Sequence, residues 1–562
     1  MCLLQSITMQ RYIHEFLCPS LRTQNLMKAV VTHIRLLTTA AAQEPTVIRV
    51  PKRIADKIKK SQQKTDGSVE WQGRSFRGRP GKAMISAKRK EFNYYQNQIQ
   101  DKFKPLRLAS GGWKHKDSQG DHFTILAFRG NPSVQDKETE SDEARDFSKL
   151  KLDQRLLDAL GAMDIESPTR IQSLAIPSIL KGRNVLCAAE TGSGKTLAYL
   201  LPTLHLLLRQ TAETDRMTEA GRPRCLILVP AWELAHQIKS VASVLVKHTG
   251  LVVRCVDGAA LPKSLRHTFL TPADVIVSTP GPILNCLRQK FLELGAVTHV
   301  VVDEVDTMLD DSFSHMTLNI LQRLHVSTTP WSKRKPYGET QLVLAGATMP
   351  KQVATTLEDI LPETALETVA TSHLHRIMPH VSQKFLRLHS QDKAATILKL
   401  AREDSKRNFP VLVFCNEVAT CNWLAAFLEE NGLKVLRLNG DMDPKQRHGV
   451  MQSFHRGVAN VLVCTDVGSR GVDTIKVKHV VNFDFPNFMS DYIHRTGRVG
   501  RVGSVGPGHV TSFVVHKWDV DLVKRIETAV RVRQNLPRVN ANIKKTLIQR
   551  LVNEEDAIIS MN

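Results

Sequence analysis

A glycine-rich segment, AAETGSGKT at residues 188–196, contains the residue types that bind a chain of phosphates. An apolar run, NVLCAA, leads into it and a helical pattern follows it, which predicts a turn between a strand and a helix. Gly192 and Gly194 let the backbone curl until its N–H groups face the phosphates, while the helix N-terminus adds positive potential. Lys195 supplies a point charge and Thr196 a hydroxyl for Mg²⁺. An ordinary glycine-rich turn is the alternative, and the strand–loop–helix context disfavours it.

A pair of acids follows another apolar run, in HVVVDEVD at residues 299–306. Asp303 lies at the end of a predicted buried strand, where a carboxylate can hold a magnesium-bound water. Glu304 is placed to orient or deprotonate an attacking water. Acid pairs after strands are common, so this motif gains its meaning from the phosphate loop that precedes it. Together the two motifs predict hydrolysis of a nucleoside triphosphate with Mg²⁺.

Two series of short apolar runs, separated by helical stretches, must position these motifs. The first includes CLILVP, ADVIVST and QLVLAGA, and the second includes PVLVFCN, ANVLVCTD and HVTSFVV. Runs that are apolar throughout are typical of parallel strands covered on both faces. We therefore predict an α/β fold with two tandem doubly wound parallel-sheet domains. The predicted boundaries are 147–365 for the first domain, 366–383 for a linker, 384–535 for the second domain and 536–562 for a helical, basic tail.

The overall composition, with 42% hydrophobic and 23% charged residues, fits a soluble globular protein. Since no run reaches the roughly 18 uncharged apolar residues of a membrane span, we predict no membrane insertion. The formal net charge is +22, and residues 1–130 hold 24 Lys plus Arg against nine acids. This surplus favours a polyanionic partner, nucleic acid before an anionic membrane, with a solvated, partly disordered arm as the alternative.

The first 43 residues are basic, rich in hydroxyl groups and contain a single acid, Glu15. This composition predicts a mitochondrial transit peptide, and a merely disordered N-terminus is the alternative. Residues 44–146 are predicted to form a basic N-terminal extension, with marginal structure over residues 50–130, that ends in an acidic linker at residues 131–146. Nine cysteines without a C-x-x-C pair predict buried, reduced thiols rather than a zinc site.

Beside AAETGSGKT and YIHRTGRVGR, the segment VVDEVD resembles the DEAD-box RNA helicases of superfamily 2. The motifs stand in the family's order and spacing over about residues 145–535. The resemblance implies two RecA-like domains, ATP and Mg²⁺ as cofactors, and RNA as the partner. It also implies that ATP closes the two domains on each other, so that arginines of the second domain complete the site in the first.

The resemblance also implies a role for each matching residue. Gln172, in SPTRIQ, would read the adenine ring, with Phe147 bracing it. The full nucleotide site would comprise Phe147, Gln172, Ala188, Ala189, Glu190, Thr191, Gly192, Ser193, Gly194, Lys195, Thr196 and, on the ribose, Asp473. Catalysis would depend on Glu304, Lys195, Arg498 and Arg501, and the metal would be held by Thr196 and Asp303.

A further set of matching residues would bind RNA or couple hydrolysis to closure. The implied RNA contacts are Pro230, Thr279, Pro280, Gly281, Arg447, Thr465 and Asp466, and the implied coupling residues are Thr348 and His494. Trp232 and Pro282 stand where the family has arginines, so part of the grip on RNA is missing. Gly346 replaces the serine of the family's SAT motif, and Val305 replaces the alanine of DEAD.

These features together predict an ATP-dependent RNA helicase that locally unwinds structured RNA. The transit peptide directs it to the mitochondrial matrix, where ribosomal RNA is abundant, and we expect a role in assembling the large ribosomal subunit. The basic runs KRIADKIKK and KRK suggest an additional nuclear or nucleolar pool. Expected partners are ribosomal RNA and ribosomal or RNA-granule proteins, and the chain is expected to be a monomer. The alternatives are an ATP-gated RNA clamp that hardly unwinds, and a DNA helicase, against which the glutamine motif and HRTGRVGR argue.

Overall fold

The structure is a computed structural model. It describes residues 83–95, 106–134, 146–214, 218–256, 269–310, 313–328, 339–348, 352–466, 474–504, 506–537 and 539. The predicted transit peptide, most of the predicted acidic linker, Asp473 and the chain from residue 540 onward lie outside these ranges.

Strands and helices alternate through most of the described chain, as the apolar runs predict. The strands are β1 (Ala83–Ala87), β2 (Tyr94–Tyr95), β3 (His122–Ile125), β4 (Asn184–Ala188), β5 (Cys225–Leu228), β6 (Val253–Val256), β7 (Val275–Ser278), β8 (His299–Val302), β9 (Gln341–Gly346), β10 (Leu366–Ala370), β11 (Ser382–Arg387), β12 (Val411–Cys415), β13 (Val435–Leu438), β14 (Val461–Thr465), β15 (His479–Asn482) and β16 (His509–Val514). The α-helices are α1 (Gln154–Ala162), α2 (Arg170–Leu180), α3 (Lys195–Thr214), α4 (Trp232–Leu245), α5 (Pro280–Arg288), α6 (Val305–Met308), α7 (Ser314–Leu321), α8 (Gln352–Thr356), α9 (Lys393–Lys406), α10 (Val418–Glu430), α11 (Pro444–His455), α12 (Met489–Thr496) and α13 (Lys517–Val532).

The first domain is built on a seven-stranded sheet in the order β10-β4-β9-β8-β5-β7-β6, and all of its pairings are parallel. Strands β4, β5, β7, β8 and β9 are buried along their whole length, because helices cover both faces. The predicted doubly wound fold is therefore confirmed. The sheet ends at Ala370 rather than at residue 365, since β10 pairs with β4 at its edge. The predicted linker thus loses its first five residues, 366–370, to this sheet.

The second domain also contains a parallel sheet, and the N-terminal extension enlarges it. Its nine strands run in the order β13-β14-β12-β15-β16-β11-β3-β1-β2. The first six are parallel, while β3, β1 and β2 add antiparallel pairings beyond β11. The prediction of marginal structure at 50–130 is therefore wrong for the described part of that segment. A run of basic residues, Lys88–Lys90, lies between β1 and β2. Because both strands are short, the alternation of apolar and polar residues is too brief to be recognised beside this run.

An aromatic cluster fixes the extension to the second domain. Phe123 of β3 stacks on Phe385 of β11 with ring centroids 4.8 Å apart, and the Trp113 ring lies 5.4 Å from the Phe123 ring. A buried carboxylate adds a polar anchor, because Glu527 of α13 accepts hydrogen bonds from the backbone N–H groups of Ala109 and Ser110. The extension from β1 to β3 is thus part of the core of this domain.

Replacing Phe123 with alanine should therefore unfold the second domain more readily. Removing a fully buried aromatic side chain typically costs about 3–5 kcal/mol of unfolding free energy. Chemical denaturation followed by circular dichroism would measure the change. Tyr95→Ala is the matched control, since this aromatic of the same extension is 45% exposed and should cost little. Equal, small effects of the two changes would contradict a folded role for the extension.

Two further predictions concern thiols and membranes. Cys187, Cys225, Cys286, Cys415, Cys421 and Cys464 are free and buried, as predicted, whereas Cys255 is partly exposed. Burial raises the pKa of the Cys187 thiol to about 12, so this thiol stays protonated and unreactive. Across the described ranges, no helix combines the length and apolar character that crossing a bilayer requires.

Candidate nucleotide and RNA sites

The phosphate loop lies between β4 and α3, at the carboxyl edge of the first sheet. Its glycines have positive φ, +77° at Gly192 and +92° at Gly194, a conformation that side chains disfavour. A Cβ atom at Gly192 would lie 2.5 Å from Cγ of Arg501, and one at Gly194 would lie 2.6 Å from Nε2 of Gln172. The loop therefore needs glycine for its curvature and for the close approach of both neighbours.

Polar atoms of the loop are arranged to receive an anionic ligand. Lys195 Nζ donates to the carbonyl oxygens of Ala189 at 2.7 Å and Glu190 at 2.9 Å, which holds the loop in its curved form. Burial lowers the pKa of Lys195 despite the nearby acids, Asp303 foremost. Within the described part of the chain, the buried hydroxyls of Thr191 and Ser193 have no hydrogen-bond partner. Phosphate oxygens are acceptors that would satisfy these donors.

Gln172 links the predicted adenine-reading helix to the phosphate loop. Its Nε2 donates to the carbonyl oxygen of Gly194 at 3.0 Å, and its Oε1 accepts from the N–H of Thr169 at 2.9 Å. The amide thus caps α2 and touches the loop at once, so a change at the adenine end can be transmitted to the phosphates. Phe147 is buried in the same apolar core as Ile171 of α2. Phe147 therefore helps to form the apolar core on which α2 packs.

The acidic strand end lies next to the loop, as its place after β8 predicts. Asp303 is buried, and it accepts hydrogen bonds from Tyr199 Oη and from the N–H of Glu304, both at 2.8 Å. Burial, helped by the charge of Glu304, raises the pKa of Asp303 to about 6. Such a carboxylate gains when a cation neutralises it, so Asp303 and Thr196 fit a Mg²⁺ site. Tyr199, which orients Asp303, was not anticipated from the sequence.

Glu304 has a left-handed backbone conformation, with φ 47° and ψ 50°, immediately before α6. Non-glycine residues rarely adopt it, and such strain is typical of functional sites. Arg498 approaches this glutamate from the second domain, with its Nη2 3.9 Å from Oε1. The N–H of Val502 donates to the carbonyl oxygen of Gly192 at 3.1 Å. Arg498 thus lies against Glu304, and Arg501 lies against Gly192 of the phosphate loop, each from the other domain.

Asp306, the last acid of DEVD, joins the two predicted coupling residues. Its carboxylate accepts from Thr348 Oγ1 at 2.6 Å and from the Thr348 N–H at 3.0 Å. His494 of α12 lies on the same oxygen, with its Nε2 3.2 Å away. Asp306 therefore connects the GAT motif of the first domain to α12 of the second. The only sequence signal for it was its place in the DEVD motif.

The His494–Asp306 contact should make domain closure depend on pH. Burial lowers the pKa of His494, but the charge and hydrogen bond of Asp306, together with Glu304, outweigh burial and the opposing Arg498, so the net pKa is raised. Although burial opposes it, the charge of His494 and the bonds to His494 and Thr348 bring the pKa of Asp306 below its usual range. The stabilisation of the closed domains by protonated His494 is therefore complete below about pH 6.5, and it is lost as the pH rises through the raised pKa of this histidine.

We expect the KM for ATP at saturating RNA to rise with pH on the alkaline side, by up to about tenfold. His494→Gln should flatten this rise, since an amide still donates a hydrogen bond but carries no proton to lose. Steady-state ATPase assays between pH 6 and 9 would measure both proteins. If the two profiles run parallel, another group, such as Lys195, causes the dependence.

The predicted RNA-binding residues lie at the carboxyl edges of the two sheets. Pro230 follows β5, Thr279 caps α5 after β7, and Pro280 begins that helix, with Gly281 exposed beside it. Thr465 ends β14, and Asp466 follows it. In the first domain this edge also carries the phosphate loop, so the nucleotide site and part of the predicted RNA site lie at the same edge of that sheet.

One predicted RNA contact instead joins the two domains. Arg447 of α11 lies 3.6 Å from Glu233 of α4, and both side chains are mostly buried. Next to this pair, a cavity of about 580 Å³ is lined by α4 residues such as Lys239, by Lys247 just beyond that helix, and by α11 residues such as His455. The lysines give the cavity positive charge between the two domains.

Arg495 is a buried organiser of the second domain that the sequence did not single out. Its Nε donates to Asp466 Oδ1 and its Nη2 to Asn416 Oδ1, both at 2.7 Å, while Nη1 donates to the Asp484 carbonyl oxygen at 2.8 Å. Because one guanidinium donates hydrogen bonds to three separate loops, it fixes the positions of these loops relative to one another. It thereby places Asp466, a predicted RNA contact, against the helix that carries His494.

The fold and the cleft define a two-domain hydrolase of nucleoside triphosphates, with its site between two RecA-like domains. The family model described as DEAD/DEAH box helicase matches residues 169–356, and that described as helicase conserved C-terminal domain matches 392–503. A curated relative, "Probable ATP-dependent RNA helicase DDX28" of Homo sapiens, is 41% identical over 527 residues, which cover 92% of this chain and 96% of its own length.

A more distant relative and a solved structure are also similar to this chain. DEAD-box ATP-dependent RNA helicase 39 of Arabidopsis thaliana is 32% identical, covering 73% of this chain and 65% of its own length. The structure of S. cerevisiae Dbp5 bound to RNA and ADP BeF3 matches with a TM-score of 0.57 and 28% identity, covering 68% of this chain and 93% of that one. The chain belongs to the DEAD-box ATP-dependent RNA helicases. The predicted family, fold and RNA-stimulated ATPase activity are therefore confirmed.

Proposed function

We propose that this RNA helicase hydrolyses ATP in the cleft between the phosphate loop and the segment Arg498–Arg501 that follows α12, and remodels structured RNA as the cleft closes. The observation that carries the proposal is the contact of Arg498 with Glu304 at 3.9 Å across the domains. Lys195 and the loop N–H groups would bind the phosphates, and Gln172 would bind adenine. Mg²⁺, held through Thr196 and Asp303, would neutralise phosphate charge.

Glu304 would take a proton from the attacking water, while Arg498 and Arg501 would stabilise the charge that develops on the transferred phosphoryl group. Both arginines come from the second domain, so hydrolysis would require closure. Closure would also bring Thr279–Gly281 and Thr465–Asp466 onto one RNA path. Contacts with a phosphate backbone carry little sequence information, so we expect weak sequence preference. Strand displacement with a short duplex, at several ATP concentrations, tests this function directly.

A specific feature favours the rival function, an ATP-gated clamp that hardly unwinds. Gly346 lacks the hydroxyl that the serine of the family's SAT motif provides. A Cβ atom at Gly346 would lie 2.9 Å from Cγ1 of Val305, so the two departures from the family pattern compensate each other. The larger valine occupies the space that a serine side chain needs, so changing Gly346 alone should cost stability.

A double-mutant cycle separates helicase from clamp. Gly346→Ser alone should lower stability by about 1–3 kcal/mol through overpacking, and Val305→Ala should leave a small cavity. The double variant restores the DEAD and SAT sequences and should recover stability. If the missing hydroxyl limits coupling, it should also unwind more duplex per ATP hydrolysed than the natural chain. Equal unwinding per ATP by both would show that Gly346 does not weaken coupling.

We further propose that the protein acts in the mitochondrial matrix on ribosomal RNA during large-subunit assembly, with a minor nuclear or nucleolar pool. The support is the basic, hydroxyl-rich, nearly acid-free composition of residues 1–43. Imaging a tagged chain that starts at residue 44 should show it outside mitochondria, whereas unchanged import would disprove the targeting role. Crosslinking and sequencing of bound RNA would then show whether ribosomal RNA predominates.

A further inference from the structure

The N-terminal extension crosses from the second domain to the first beside the ATP cleft. Its strands β1 to β3 belong to the second sheet, and the chain then continues through residues 128–133, which we call the strap. After the strap, the chain enters the first domain at Phe147. The two domains are therefore joined twice, by the strap and by the connector at residues 371–381.

The strap binds the connector first. The N–H groups of Phe128 and Arg129 donate to the carbonyl oxygen of Pro379, at 2.8 and 3.2 Å. The connector in turn reaches the phosphate loop, because Thr371 Oγ1 donates to Glu190 Oε2 at 2.9 Å. Because the strap and the connector both run between the two domains and are hydrogen-bonded to each other, we expect them to move together when the domains separate.

The strap next binds the turn that carries the catalytic arginine. Asn131 Nδ2 donates to the carbonyl oxygen of Gly500 at 3.1 Å. His380 Nε2 lies 2.7 Å from the same oxygen, so the turn is held from the strap and from the connector. Gly500 has φ +67°, and a Cβ atom there would lie 2.6 Å from Val381, so the fit is close. The next residue is Arg501, which packs on Gly192 of the phosphate loop.

The other end of the strap binds the adenine-reading helix of the first domain. Asn131 Oδ1 accepts from the N–H of Ser133 at 3.0 Å, which turns the chain so that the Ser133 carbonyl accepts from the N–H of Arg170 at 3.1 Å. Arg170 begins α2, and the first N–H groups of a helix have no partner inside it. The strap thus supplies that partner, two residues before Gln172.

We infer that Asn131 is a positioning residue of the ATPase site, which holds the Gly500–Arg501 turn against the phosphate loop and so stabilises the closed domains. Its side-chain amide forms two hydrogen bonds: Nδ2 donates to the Gly500 carbonyl oxygen, and Oδ1 accepts from the Ser133 N–H, where the strap turns toward α2. Because the strap is hydrogen-bonded to both domains, some of its hydrogen bonds must break when the domains separate. Loss of the Asn131 bonds should therefore weaken ATP binding only when RNA has driven closure. This inference rests on the proposed roles of Arg498 and Arg501.

Asn131→Asp gives the sharpest test, since aspartate keeps the acceptor for the Ser133 N–H and removes the donor to Gly500. We expect the KM for ATP at saturating RNA to rise about three- to tenfold, the range of one hydrogen bond. ADP affinity without RNA and the melting temperature should stay unchanged, because neither needs closure. Asn93→Asp is the matched control, since Asn93 lies in the same extension and its Oδ1 accepts from the N–H of Ala87 of that extension at 2.9 Å.

The outcomes are decisive in either direction. An unchanged KM, or an equal loss of ADP affinity without RNA, would overturn the inference. Asn131→Ala provides a second variant, and if both variants lose cooperative melting while Asn93→Asp retains it, Asn131 is a folding residue and the inference is also wrong. Glu304→Gln in the natural background separates the two levels: normal turnover in that variant would overturn the proposed function, whereas an unchanged KM in Asn131→Asp would overturn the strap alone.

Discussion

Glu304→Gln is expected to lower multiple-turnover ATP hydrolysis by about 10²–10⁴-fold, the usual contribution of a general base. Glutamine has the same shape, but its amide cannot accept a proton from water. The left-handed backbone at residue 304 and the hydrogen bond from its N–H to Asp303 do not require the charge of the Glu304 carboxylate. ATP and RNA should therefore still bind and should accumulate as a stalled complex. Phosphate release in steady state and filter binding of RNA with ATP measure the two effects.

A matched change at a distant acid shows whether the loss is specific. Glu367→Gln makes the same carboxylate-to-amide substitution on β10, where Glu367 accepts from Ser178 Oγ at 3.0 Å and pairs with Arg183 at 2.9 Å. This variant should hydrolyse ATP at close to the natural rate. If Glu304→Gln also turns over ATP normally, the attacking water is activated by another group, and the proposed site is wrong.

The two-domain architecture could be predicted because burial dictates its strands. Strands such as Val275–Ser278 and Val461–Thr465 are apolar at every position, since helices cover both faces of a parallel sheet. The motif residues follow from the same rule, because loops after parallel strands meet at one edge. The two motifs could therefore be assigned to one nucleotide site, and in the structure the charge of Asp303 opposes the burial that lowers the pKa of Lys195.

The extension could not be predicted in the same way. His122–Ile125 alternates between partly exposed and buried residues over only four positions, which is too short to distinguish from a loop. Its stabilising partner, Phe385, is 262 residues away in the chain, so no local pattern indicates the pairing. Asp306 and Asn131 present the same difficulty, since each acquires its meaning from a contact with the other domain. Residue type alone does not reveal such contacts.

Arg498→Ala is expected to lower the RNA-stimulated kcat by about 10³-fold or more, which is typical when an arginine finger is removed. Arg498 is buried and directs its guanidinium toward Glu304 from the opposite domain. In a cleft with little water, this charge is not screened, so it stabilises a developing negative charge strongly. ATP or ADP binding without RNA should change little, because the phosphate loop belongs to the first domain.

A lysine at this position separates charge from geometry. Arg498→Lys keeps the positive charge but loses the planar fork, so we expect a rate between those of the natural chain and Arg498→Ala. Arg437→Ala, at an exposed site on edge strand β13, is the control for removing an arginine from the same domain. Single-turnover hydrolysis at saturating RNA isolates the chemical step. If Arg498→Ala loses affinity for ATP without RNA as severely as it loses rate, then Arg498 contributes to ground-state binding, and the assignment of a finger that acts only after closure is wrong.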